Sequence, residues 1–131
     1  MPAGEALTPA QVRAVQRAVT QAEESSGLRF SVYVGELSGE SPRSAAQGLH
    51  AATATDPSDV VLLAIDPSAR RLEIVTGSHA HRFLDDRSCA LASLSVTSKI
   101  SLGDLAGAIV DGLRALAEHA RHPRTLHTDN V

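Results

Sequence analysis

The chain has 131 residues, 43% of them apolar and only 2% aromatic, with a formal net charge of −3. That length suits one domain with a single core filled by Ala, Val, Leu and Ile, and the negative balance argues against a nucleic-acid binder, which needs a basic face. A single cysteine, Cys89, excludes an intramolecular disulfide framework, and no apolar run reaches signal-peptide or transmembrane length, so a cytoplasmic protein without a transmembrane segment is expected.

Residues 1–7 are small and read as a flexible N-terminus. Thr8-Pro9-Ala10-Gln11 then opens a helix, with Thr8 as N-cap, Pro9 at the first helical position and Gln11 closing a capping box. Val12, Val15, Val19 and Ala22 recur at helical spacing, and Ser26-Gly27 supplies the stop. Phe30, Val32 and Val34 alternate with Ser31, Tyr33 and Gly35, the pattern of a strand with one apolar face. Ser44 to Ala54 predicts a short helix with Ala45, Leu49 and Ala52 inward, ended by Asp56-Pro57-Ser58.

Val60–Gly77, VVLLAIDPSARRLEIVTG, carries the strongest signal in the chain. Its unbroken apolar run, Val60 to Ile65, predicts a strand buried on both faces. Asp66-Pro67 suits a type I turn into a second strand, Arg71 to Thr76. The helix between the first two strands implies a right-handed parallel crossover, and the hairpin adds an antiparallel third. After Gly77 the sequence predicts one or two helical turns over His79 to Leu84 and a helix from Asp86 to Val96. A last helix is expected with Ser101 as N-cap and Leu102, Leu105, Ile109, Leu113 and Leu116 as its stripe. Gly107 and Gly112 inside it each cost about 1 kcal/mol of helix propensity, which implies close approach to the sheet or to another chain. Residues 121–131, broken by Pro123, read as a flexible tail after a single domain over 8–120. The expected class is α/β, a single small mixed sheet flanked by helices.

This order of elements resembles the TPM domain, an α/β domain of thylakoid-lumen, bacterial envelope and animal membrane proteins, and more closely a group of short stand-alone bacterial proteins of TPM type. The likeness covers about residues 7–118 and is carried by FSVYVG, by the hairpin ending in Thr76-Gly77, by Leu84-Asp85 and by SLGDLAGAIVDGL. It implies acid-phosphatase chemistry with acidic residues near a divalent metal. Gly77 and Leu84-Asp85 match the pattern of that family. The stretch Pro2-Ala3-Gly4-Glu5 has no aspartate, and His79 stands where a second glycine is expected.

The topology sorts the acids into two groups. Glu36 and Asp66 fall at the carboxyl edge of the parallel strands, where simple turn chemistry is the competing explanation. Gly77, His79, His81, Asp85 and Asp86 fall at the other edge, near Asp59. Two carboxylates and two imidazoles there suit Mn²⁺ or Zn²⁺ better than Ca²⁺. The competing explanation is that Asp85 and Asp86 cap a helix and that His79 and His81 are exposed loop residues. Cys89 reads as a core thiol among Ala90, Leu91 and Leu94, unless a helix N-terminus activates it. His119 and His122 read as solvated, and Arg43 with Arg70 and Arg71 as a hairpin tip able to touch a phosphate.

The leading expectation is a non-catalytic binding or protein-interaction module, with partner contact at the last helix, Gly103 to Gly112, or at the outer strand of the hairpin. The alternatives are a metal-dependent phosphatase using Asp85 and Asp86 with His79 or His81, and a homodimer that pairs the outer strand.

Overall fold

A computed structural model describes residues 7–129 of the chain, and the side chains of residues 7–121. The predicted flexible segment over residues 1–7 lies almost wholly outside them. Seven elements follow one another: helix α1 (Pro9–Ser26), strand β1 (Arg29–Val34), helix α2 (Pro42–Ala51), strands β2 (Val60–Asp66) and β3 (Arg71–Thr76), and helices α3 (Asp86–Ser101) and α4 (Leu105–Asp129). The expected α/β architecture, a small mixed sheet flanked by helices, is what the chain forms.

Local chemistry sets the boundaries of α1. Thr8 and Gln11 exchange the two hydrogen bonds of a capping box, Pro9 stands in the first turn, and Gly27 ends the helix at φ 78°. The sheet order is β1-β2-β3. β1 runs parallel to β2, with Arg29 opposite Val60 and Val34 opposite Ile65. β3 runs antiparallel to β2, with Val61 opposite Thr76. Every residue of β2 is buried, the apolar run Val60 to Ile65 as a central strand covered on both faces requires and Asp66 at its end through its hydrogen bonds.

The faces of β2 divide the core. Val61, Leu63 and Ile65 pack with Phe30, Ile74, Leu84, Val96, Ile109, Leu113 and Leu116, under α1, α3 and α4. Leu62 and Ala64 pack with Leu37, Ala46 and Val75 beneath α2. Each large aliphatic side chain so buried contributes about 1.5–3 kcal/mol.

Several boundaries differ from expectation, among them α2, which runs Pro42–Ala51 where Ser44 to Ala54 is predicted. Ser101 ends α3 rather than capping α4. Asp104 is the cap, since its Oδ1 accepts from the Gly107 N–H at 2.9 Å, after a turn through Gly103 at φ 84°. Leu102 therefore leaves the core stripe and stands 84% exposed. The last helix continues past Pro123 to Asp129, where a loose tail is predicted. In α2 the inward residues are Ala46 and His50, with Ala45 and Leu49 at the margin and Ala52 exposed. His50 is buried because its Nε2–H donates to the Val60 carbonyl at 2.9 Å, which no pattern in the sequence announces.

Candidate functional site

The edge beyond Gly77 is knitted by backbone. Gly77 donates to the Val60 carbonyl at 3.0 Å, His79 to Ser58 at 2.8 Å, and the His81 N–H to Gly77 at 2.9 Å. This brings the predicted residues to one edge but commits them separately. Asp59 is held by Arg29, whose Nε and Nη2 reach its Oδ1 at 3.1 and 3.0 Å. Asp85 is the N-cap of α3, accepting from the Ser88 N–H at 2.9 Å. Hydrogen bonds from the Ser88 backbone and side chain hold the Asp85 carboxyl below its ordinary value, helped by the charges of His81 and Arg87. His81 shares a hydrogen bond with the Thr76 hydroxyl at 3.2 Å, and His79 meets the Phe83 ring edge-on. Asp86 lies in the first turn of α3.

Among the described residues no three His, Cys, Asp or Glu side chains form a group able to hold a metal ion. Held apart by these separate partners, the donors do not fit the Mn²⁺, Zn²⁺ or Ca²⁺ site that the sequence suggests. At the opposite edge, Asp66 is buried and hydrogen-bonded by the Leu37 N–H at 3.0 Å, the Ser68 hydroxyl and the Ala69 N–H. It organises the turn and has no free oxygen to offer chemistry.

Arg43 does not join Arg70 and Arg71. Its Nη1 donates to the Ile74 carbonyl at 2.7 Å and pairs with Glu73, so it covers part of the outer edge of β3. Burial raises the Cys89 thiol to about 11, reinforced by Asp86 and Asp85. Leu91 and Leu94 do not bury it, being themselves 48% and 69% exposed. A thiol held protonated is a poor nucleophile. Alkylation of Cys89 by iodoacetamide at neutral pH is expected to run on the order of a hundredfold slower than that of free cysteine. A rate equal to that of free cysteine, read by mass spectrometry, would contradict it.

Gly112 is explained within the chain: a Cβ there would stand 2.6 Å from Val96 Cγ2 and 3.6 Å from Leu63 Cδ2. It allows α4 to approach α3 and the sheet. At Gly107 a Cβ would meet the Asp104 carboxylate that caps the helix. Both glycines therefore have a packing reason within the chain.

The open surface is at β1. Gly35 donates to the Ile65 carbonyl at 2.9 Å, so by the period of two Tyr33 and Ser31 also turn toward β2, while Phe30, Val32 and Val34 turn outward. The Phe30 N–H is taken by Glu23 Oε2 at 3.0 Å. Among the described residues nothing accepts from the N–H groups of Val32 and Val34. Beside this edge runs a groove of about 570 Å³ between α1 and β1. Val12, Val15 and Val19 form one wall and Phe30, Val32 and Val34 the other. The sequence presents these valines as ordinary core positions. The available signal is the strand order, because among the described residues β1 pairs with β2 alone and is an edge of the sheet.

A family model described as domain of unknown function (DUF5130) matches residues 4–117. The chain is 25% identical over 108 residues to the uncharacterized protein Rv2468c of Mycobacterium tuberculosis strain H37Rv, and equally to protein MT2543 of strain CDC 1551. That match covers 82% of this chain and 64% of the length of those relatives. The fold is similar to that of the BA42 protein of the psychrophilic bacterium Bizionia argentinensis, with a TM-score of 0.77 at 15% identity over 91% of this chain and 84% of that one. It is also similar to the N-terminal domain of the cg2496 protein of Corynebacterium glutamicum, at 0.71 and 18% over 86% and 72%. The TPM resemblance is corrected by these matches: the family is a different one, and none of these relatives or structures bears the TPM name. The residues that suggested it serve the fold, Gly77 by close packing, Leu84 as core and Asp85 as a helix cap.

Proposed function

We propose that this chain, which belongs to the DUF5130 family, is a non-catalytic protein-binding module that takes an extended segment of a partner as a fourth strand along β1. The observation that carries the reading is the outer edge of β1, which has no strand partner among the described residues, beside an apolar groove. An edge strand with open N–H and C=O groups is a template for strand addition, and alternate pockets supply selectivity. β3 is less suited, since Arg43 already occupies the Ile74 carbonyl. Of the carboxylates at the Gly77 edge, Asp85 is engaged as a cap and Asp59 as an ion partner, and the one thiol is held protonated, which supports binding rather than turnover.

Val12 lines the groove and is 39% exposed, so it tests binding apart from folding. Val12→Gln is expected to weaken binding of a peptide alternating glutamate and valine about tenfold, the equivalent of roughly 1.4 kcal/mol of lost apolar contact. Its folding stability should stay within about 0.5 kcal/mol. Calorimetric titration showing unchanged affinity would remove the groove from the account.

A further inference from the structure

We infer that the segment received by β1 is an acidic stretch of another protein rather than a second copy of this chain, an inference that rests on the edge-binding reading above. The chain as a whole carries a formal net charge of −3, but its charge is segregated. The exposed face of α1 bordering the groove carries Arg13 and Arg17, and the helix has no acid before Glu23. Gln16 and Thr20 line both the groove and the adjoining depression formed by Arg13, Arg17 and Gln21. The two arginines therefore stand beside the path of an added strand.

Among the described residues neither arginine makes an ion pair, unlike Arg29, Arg43 and Arg114 and like Arg70, Arg71, Arg82 and Arg87 elsewhere in the chain. Two unpaired guanidiniums at the rim favour carboxylates in the occupant, and arginine presents a fork suited to them. A second copy meets the opposite condition. Two chains pairing β1 to β1 about a two-fold axis would present the same patch to each other, bringing Arg13 and Arg17 together with their own counterparts. Like charges so juxtaposed disfavour the contact. An aliphatic segment interspersed with aspartate or glutamate satisfies the edge, the groove and the rim together.

Two labelled seven-residue peptides, one alternating glutamate with valine and one lysine with valine, test this by fluorescence polarisation against the full chain. The glutamate peptide is expected to bind more tightly, with affinity falling as salt rises. Arg13→Gln with Arg17→Gln should weaken it about two- to thirtyfold, the range for two exposed charge pairs. Arg13→Glu with Arg17→Glu should reverse the preference toward the lysine peptide. Equal binding of both peptides, unmoved by the arginine variants, would overturn the acidic partner while leaving the edge as the site. Binding of neither peptide would overturn both readings. Light scattering that shows a dimer, with the Val32 and Val34 amides protected in it, would overturn the inference by making a second copy the occupant.

Discussion

Gly77→Ala is expected to destabilise the fold by at least about 3 kcal/mol, the upper end of the range for overpacking a closed site. Gly77 is buried, and a Cβ there would lie 2.1 Å from the Pro57 carbonyl oxygen and 2.4 Å from that of Ser58. These are backbone atoms, so no rotamer change relieves the clash. They are also fixed: Asp56 accepts from the Ser58 N–H, and the Ser58 carbonyl accepts from His79. The demand at Gly77 is therefore for space rather than for an unusual φ. Gly48 provides the contrast, since a Cβ there meets nothing within 4 Å and lies inside α2. Gly48→Ala should leave stability unchanged or raise it by up to about 1 kcal/mol. Urea denaturation of both variants decides the matter, and equal stabilities would show that the Pro57–Ser58 backbone yields.

Asp66→Ala is expected to cost about 2–4 kcal/mol at neutral pH, because it leaves the buried Leu37 N–H without an acceptor and frees the turn. Burial alone would raise the Asp66 carboxyl, but hydrogen bonds from Leu37, Ser68 and Ala69 outweigh it and hold the group below the ordinary 3.8. The sign of the pH dependence follows. With a folded value below the unfolded one, the contribution of Asp66 is fully present above about pH 4 and is lost as pH falls through the lower, folded value. The stability gap between wild type and Asp66→Ala should be flat from pH 7 to about 5 and narrow below 4. A gap that widens on acidification would contradict the hydrogen-bonded carboxylate.

The parts of the fold that were legible in the sequence depend on short-range chemistry. Thr8 with Gln11, Gly27 and the apolar run of β2 each act within a few residues, and the crossover rule then orients β1 against β2. The boundary between α3 and α4 was not legible, because Ser101 and Asp104 are both good caps three residues apart and only tertiary packing selects Asp104. Leu91, Leu94 and Leu102 mislead for a related reason: an apolar side chain does not report which face its helix turns inward. For the candidate site, topology places Gly77, His79, Asp85 and Asp59 at one sheet edge, where backbone bonds tie Gly77 to Val60 and His79 to Ser58. Whether carboxylates converge there depends on their local partners, and Arg29 and Ser88 claim them first. The groove was invisible for the opposite reason. It lies between residues of α1 and β1, and periodicity assigns Val12, Val19, Val32 and Val34 to a core without saying how far the two walls stand apart.

Amide hydrogen exchange of the Val32 and Val34 N–H groups, followed by NMR with and without the glutamate–valine peptide, tests strand addition most directly. Fast exchange is expected in the free protein and marked protection of these amides on binding, with the amides of β3 and of the Gly77 turn unchanged. Peptide binding that left Val32 and Val34 as exposed as before, or that protected the Gly77 turn instead, would contradict it.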